Sequence, residues 1–513
     1  MMYAHRLLSP FLVVLAAFLA VGTPVSYAQI RVGERVGFAD PESGSVLISV
    51  TEDENDPARW PATVDIDGQP FALQTTTLPI VRLTHDAVES ESFSPSTFTL
   101  VTPDGGVEQY AAELRWRGAT ALLYSKKSYA VKLLDADGAD LDASLLGMRE
   151  DNSWILDAMT VDKSRLRNRA TMDMWLDFST PPYYAATEDR LVNGTRGRFV
   201  EVFIGDRYWG LYCLSEKVDR KQLRLKKFKD GTPRGLLYKL VKYDDLLAIT
   251  DPSPSNESFT WQKWECSYPD VRKGEPIDWQ PLFDITTFFA GPDADYIGQH
   301  LAERVDLPLW TDYNLFCDLF HGDDNACKNI YAYYRDVTAQ PAEPLCICPW
   351  DLDATWGRAW DGTEVDPESN CFVVNAVNYH VVLSMGDEGA LLSQRWAELR
   401  GGPFTAEAVW PYFQRYFDLF ATSGAASRET ERWSGTDGIM LDFEAEQAYM
   451  RQWLDRRIPY LDADYGYDPN AGIAAPTLLM SAAGTYNLAG QPLPPAAWTR
   501  GISISAGRKV LRR

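Results

Sequence analysis

The sequence predicts an α+β fold built as two lobes. A strand-rich first half precedes a helix-rich second half, and two short acidic clusters stand at the start of the second. Residues 29–77 are polar and acidic, with weak strand signals such as Ser45-Val-Leu-Ile-Ser-Val50, and read as a leader. From Leu78-Pro-Ile-Val-Arg-Leu83 the alternation strengthens, through Thr97–Thr102, Tyr110–Trp116 and Ser128–Leu134. Leu166 to Phe178 has helical spacing, with Leu166, Ala170, Met174 and Trp175 on one side. Phe199–Ile204, a Gly-Asp turn and Tyr208–Leu214 read as a hairpin. Residues 244–282, rich in Pro, Ser and Trp, read as an inserted loop over one face. Residues 296–320 are mainly helical, strands Ile330–Tyr334 and Leu345–Cys348 flank the acidic clusters, and 387–465 are helical again. The first lobe is thus expected over about 78–243, the insertion over 244–282 and the second lobe over 283–465. Residues 474–513 stand apart as a small β tail, with short strands in Thr485–Gly490 and Gly501–Leu511.

The bulk numbers exclude several classes. At 513 residues and 45% hydrophobic, the chain can bury a large core, and its 17 Trp, 25 Tyr and 22 Phe exclude a disordered protein. A net charge of −23 argues against nucleic acid and against an anionic membrane as partner. Residues 1–28 read as an export signal. Arg6 is the basic start, Leu7–Val21 the apolar run, and Ser26-Tyr-Ala28 the small-x-small cleavage site. The run is short for a span and no second one follows, so no stable membrane span is expected. The mature protein would be extracellular, at the outer cell surface or in the periplasm. Seven cysteines show no framework and no CxxC pair, and read mostly as buried thiols. Five scattered His argue against a His-based zinc site.

Candidate chemistry centres on Cys346-Ile-Cys-Pro-Trp-Asp-Leu-Asp-Ala-Thr-Trp-Gly357 and His321-Gly-Asp-Asp-Asn-Ala-Cys-Lys-Asn329. On an extended segment Asp351 and Asp353 point to one side and can approach one cation, and magnesium favours a few carboxylates plus phosphates. The same pair can cap a turn before Ala354. Asp323, Asp324 and Asn329 can supply an acceptor for a hydroxyl proton and a metal ligand; an Asx-rich turn is the competing reading. Lys132 either faces solvent from its strand or grips phosphates inside a cleft. Arg117-Gly118, followed by Ala119-Thr120-Ala121, can form a loop over those phosphates. Asp135–Asp142 fails as a calcium loop, because its glycine comes early and no Glu closes it. GxxxxGK[ST], HExxH and GxSxG are absent.

Together these segments resemble the CotH family, the spore-coat protein H-like atypical protein kinases, from about Leu78 to Tyr465. The ordered pieces are Arg117-Gly118 with Lys126-Lys-Ser-Tyr-Ala-Val-Lys132, then Asp162-Lys-Ser-Arg-Leu-Arg-Asn168, then Tyr208 to Asp219 ending in Glu-Lys-Val-Asp. Asp324 to Asn329 with Ile330-Tyr-Ala-Tyr, and Pro349-Trp-Asp-Leu-Asp to Gly357, complete the set. The resemblance implies a divergent protein-kinase-like fold that binds ATP and a divalent metal, Mg2+ or Mn2+. By position it implies that Lys132 contacts nucleotide phosphates, Arg117 faces them, and Glu216 lies near the nucleoside where the lobes join. It implies Asp324 as the acid nearest the nucleophile with Asp323 as fallback, and Asp351 and Asn329 as metal ligands beside Asp353. One departure stands out: the family's Asn-Ser-Ser after Arg-Gly is Ala-Thr-Ala here, leaving Thr120 and backbone N–H groups at the phosphate loop. The tail, through Tyr486-Asn-Leu-Ala-Gly490, Gly501-Ile-Ser-Ile and Gly507-Arg-Lys-Val, resembles terminal sorting domains of the type IX secretion system; a small docking hairpin is the alternative.

The expected activity is transfer of the ATP γ-phosphate to Ser or Thr hydroxyls of a protein substrate. The alternatives are a surface scaffold on the same fold without turnover, and a carbohydrate hydrolase using Asp351 and Asp324 as acid and base.

Overall fold

A computed structural model describes residues 29–242, 253–289, 291, 293–370, 390–469, 485–486, 501–505 and 508–512. The chain divides into two units, residues 1–465 and 466–513. The larger unit holds both strands and helices, so the fold is α+β as expected. The expected export signal and Cys371 lie outside the described residues.

The leader is a folded sheet. Strands β1 (Ile30–Val32), β2 (Arg35–Asp40), β3 (Ser45–Ser49), β4 (Thr63–Ile66) and β5 (Gln69–Thr76) run in the order β1-β2-β3-β5-β4. One cluster of its side chains gathers Val32, Ala39, Val46, Ile48, Val50 and Phe71. Val36, Phe38 and Leu47 instead pack with Ile80, Val101, Phe203 and Tyr208 of the strands that follow. A sheet buried on both faces shows no clean alternation, which is why its sequence signal is weak.

Next comes a closed barrel. Its strands are β6 (Ile80–Thr84), β7 (Ser94–Val101), β8 (Val107–Arg117), β9 (Ser128–Leu134), β12 (Ser153–Asp157), β13 (Gly197–Ile204) and β14 (Arg207–Ser215). The order is β12-β14-β13-β6-β7-β8-β9, closed by β9 against β12. Two short strands, β10 (Ala143–Ser144) and β11 (Glu150–Asp151), pair beside it. Alternate residues fill the barrel: Val81 and Leu83, Phe98 and Leu100, Val131 and Leu133, Trp154 and Leu156, Val200 and Val202. Helix α1 (Arg167–Phe178) follows β12 with Ala170, Met174 and Trp175 buried, as the spacing requires.

A second, antiparallel sheet has the order β16-β17-β15-β18-β19, from β15 (Leu236–Leu240), β16 (Thr260–Trp261), β17 (Trp264–Tyr268), β18 (Ile330–Tyr334) and β19 (Cys346–Pro349). The expected inserted loop therefore supplies a hairpin to this sheet, and its Trp264 and Trp279 are core residues. Residues 243–252 lie outside the described residues. Helices α2 (Gln280–Phe289), α3 (Ala294–Arg304), α4 (Leu307–Phe320) and α5 (Asp323–Cys327) precede β18. Helices α6 (Ala390–Arg400), α7 (Ala406–Thr422), α8 (Ala425–Trp433) and α9 (Phe443–Asp464) complete the larger unit. Trp310 on α4 donates to Leu345 O at 2.9 Å, tying that largely buried helix to the segment just before β19.

Helix α8 is locked to the barrel by buried charge. Glu429 accepts Lys126 Nζ at 2.7 Å, Arg165 Nε at 2.8 Å and the Leu211 N–H at 2.8 Å. Burial pulls the Lys126 ammonium down to about 8 against the opposing pull of Glu429. The six cysteines among the described residues are buried free thiols. In the smaller unit β20 (Thr485–Tyr486), β21 (Gly501–Ser505) and β22 (Arg508–Arg512) form an antiparallel sheet; Asn487–Gly490 lie outside the described residues. Among the described residues no helix is long and apolar enough to cross a membrane.

Candidate active site

The end of barrel strand β12, the first turn of α1 and the ends of the second sheet meet around Asp351. Asp157, the last residue of β12, accepts Ser128 Oγ at 3.2 Å, the Met159 N–H at 3.0 Å and Asn168 Nδ2 at 3.1 Å. The Oδ1 of Asn168 accepts the Leu352 N–H at 3.1 Å. One amide on α1 thereby clamps the Asp351–Asp353 loop to the barrel's end.

The loop leaves β19 in a shape its neighbours impose. Trp350 N–H donates to Asn329 O at 3.0 Å, and buried Asn325 donates to Trp350 O at 2.8 Å. Asn329 (φ 56°) and Asp351 (φ 57°) are both left-handed. That conformation costs a non-glycine residue roughly 1–3 kcal/mol and persists only where surroundings hold it, often at functional sites. Asp351 is thus not on an extended segment as expected. Asp324, in the first turn of α5, pairs with Lys328 Nζ at 3.2 Å and accepts Asn329 Nδ2 at 3.4 Å.

Electrostatics bring the acids together. Asp351 is raised above the ordinary carboxylate range by burial and by the charge of Asp157, with Asp324 adding to the push; Arg117 and Lys239 pull it back. Asp353 is raised well above that range by burial, then by Asp351, Asp157, Asp324 and Asp162. Both remain half-buried, so part of each still reaches solvent. Two cations face this group. Lys239, on β15, lies 5.9 Å from the ring centre of Tyr331 and 5.7 Å from that of Trp350; Arg117, at the end of β8, lies 5.7 Å from the Trp350 ring. Burial, then Arg117, lowers Lys239, while Asp351 holds its charge. Gly118 turns away at φ 112°, where a Cβ would meet Ala121 at 2.8 Å, so only glycine suits the turn after Arg117.

Among the described residues no group of three or more His, Cys, Asp or Glu side chains is set to hold a metal ion. The donor set is two half-buried carboxylates, Asp351 and Asp353, each pushed upward by neighbouring acids. It fits a divalent ion completed by phosphate oxygens and water, and does not fit an all-protein cage.

The structure thus gathers Asp324, Asn329, Asp351, Asp353 and Arg117. Lys132 stands elsewhere. It projects from the face of β9 opposite core residues Val131 and Leu133, 2.8 Å from Asp140 and 3.8 Å from Glu113, and the Asp140 contact raises it. Glu216 is buried and accepts the Arg149 N–H at 3.0 Å, the Arg196 N–H at 2.9 Å and Gln222 Nε2 at 2.7 Å, a set that ties three loops together. Asp323 is 44% exposed, 3.9 Å from His321. Sequence reasoning missed Asp157 and Lys239, and quoted Asn168 within a motif without giving it a role. A lysine inside the apolar run Leu236-Leu-Tyr-Lys-Leu240 was the available signal for Lys239.

A family model described as CotH kinase protein matches residues 114–461. A search of curated proteins finds no match. The family match covers most of the chain and spans every residue gathered around Asp351. The chain belongs to the CotH kinase protein family.

Proposed function

We propose that this protein is an exported kinase on a two-lobed, kinase-like fold that transfers the ATP γ-phosphate to Ser or Thr hydroxyls of a protein substrate. The observation that carries the reading is the convergence of Asp157, Asp324, Asp351 and Asp353 on one locus faced by Lys239 and Arg117. Phosphoryl transfer needs positioned charge more than covalent chemistry, and this locus offers both signs within one site. Asp351, Asp353 and Asn329 would hold Mg2+ or Mn2+. The ion, when bound, would neutralise charge on the phosphates. Asp324, kept in place by Lys328 and Asn329, would accept the substrate hydroxyl's proton. Lys239 takes the phosphate-gripping role first assigned to Lys132, because it stands beside Asp351 and Lys132 does not. The backbone N–H groups after Gly118 and Thr120 would lie over the phosphates, with Arg117 beneath them. The β tail of residues 474–513 would serve as a sorting element of the type IX kind.

Thermal denaturation with ATP and Mg2+ or Mn2+ tests the reading. A ligand that binds only the native state raises the melting temperature, by about 2.7 kcal/mol of stabilisation at a hundredfold excess over Kd. A rise that needs both nucleotide and metal, and that disappears in Asp351→Asn, supports the proposal. No rise at millimolar nucleotide refutes it and favours the scaffold.

A further inference from the structure

Away from the Asp351 site, a cavity of about 540 Å³ opens between the C-terminal half of α1, the segment 179–193, the start of β13 and helix α7. It shares no residue with the acidic cluster. Asp177 on its wall lies about 13 Å along α1 from Asn168 at 1.5 Å per residue. Four arginines line it: Arg190, Arg196, Arg198 and Arg415.

The charge balance of this cavity is unusual for the chain. Acidic residues outnumber basic ones 72 to 49, so a basic side chain seldom lacks a carboxylate neighbour. Arg190, Arg196 and Arg198 nevertheless have no carboxylate within ion-pair distance among the described residues, and all three are exposed. The acids on the wall are already engaged. Asp173 takes Arg169 at 2.7 Å, and also Arg415 and the Tyr416 hydroxyl. Glu188 takes Lys226 at 2.7 Å and Arg335 at 2.9 Å, contacts that hold its carboxyl below the ordinary range. Asp177 accepts the Tyr412 hydroxyl at 2.8 Å. Four arginines of the lining stand against three acids, Asp173, Asp177 and Glu188, and Arg169, Lys226 and Arg335 stand behind those acids, so the cavity carries net positive charge.

The frame is stiff. Pro181 and Pro182 fix the backbone on one side, and Arg415 lies 4.7 Å from the Tyr416 ring on the other. A planar guanidinium presents a fork that matches phosphate oxygens, and the volume is that of a small-molecule site.

We propose that this cavity binds a phosphate-bearing anion, held by Arg190, Arg196 and Arg198 and braced by Arg415. The phosphate group is the recognised chemistry, and it can arrive on a free polyphosphate or on a phosphorylated side chain. The inference does not depend on the phosphotransfer reading, because the two sites have no residue in common.

Isothermal titration of the full chain with inorganic pyrophosphate, and separately with a phosphoserine peptide, tests it. Unphosphorylated peptide at matched ionic strength is the control. At least one phosphorylated probe should bind, Asp351→Asn should keep that binding, and Arg196→Ala/Arg198→Ala should weaken it by about tenfold or more. Both arginines are exposed, so the double variant should keep its fold, checked by an unchanged melting temperature. Which probe binds identifies the source of the phosphate. Binding of neither probe, binding that the double variant leaves intact, or binding lost only in Asp351→Asn overturns the proposal.

Discussion

Asp353→Asn should make the protein more stable in the absence of divalent cations. The charges that act most strongly on Asp353 are negative: Asp351, Asp157, Asp324 and Asp162, on top of burial. Asparagine keeps the shape and removes the charge, so the substitution relieves a like-charge cluster without opening a cavity. Active-site residues that cost stability in this way typically return about 0.5–2 kcal/mol when neutralised. At this chain length that is a rise in melting temperature of roughly 1 °C per kcal/mol. The pH dependence fixes the sign. The folded-state pKa of Asp353 lies above its unfolded value, so the folded protein binds this proton more tightly. The wild type therefore loses stability as pH rises from the ordinary Asp range through the raised value, and the variant does not. The advantage of Asp353→Asn should be full above that window and vanish below it. Urea denaturation between pH 4 and 8, followed by tryptophan fluorescence, measures this in metal-free buffer. A variant that is less stable at neutral pH, or a difference that ignores pH, would refute the electrostatic account of the site.

Other outcomes follow from named contacts. Glu429→Gln leaves Lys126 and Arg165 buried without their shared anion and should cost about 3–5 kcal/mol in urea denaturation; Lys126→Met leaves the Arg165–Glu429 pair neutral and should cost less. Lys239→Met should lower kcat/KM for ATP about tenfold or more, the scale of one charge-assisted phosphate contact. Lys132→Met, which removes only an exposed contact with Asp140 and Glu113, should leave kcat/KM within twofold.

What could be read from the chain depended on how each segment is buried. The barrel strands bury one face each, so Val131 and Leu133 alternate visibly with Lys132. The same alternation places Lys132 on the outside, the first of the two readings its strand allowed. Strand β3 is buried on both faces and was legible only as a weak signal in a leader. The hairpin β16–β17 has a two-residue strand and a left-handed Gln262 in its turn, features that composition reads as loop. At the site, Asp324, Asn329, Asp351 and Asp353 flank two neighbouring strands and could be grouped from sequence alone. Asp157, Asn168 and Lys239 join them through the meeting of barrel, helix and second sheet, which brings together residues far apart in the chain.

The central claim is that Asp351 anchors metal-dependent phosphotransfer, and the most direct measurement is transfer of radiolabelled γ-phosphate from ATP by the purified full chain. The account predicts label on protein with Mg2+ or Mn2+, none with chelator, and a loss of about a hundredfold or more in a folded Asp351→Asn variant. Full transfer by that variant, or transfer that ignores the metal, would contradict it.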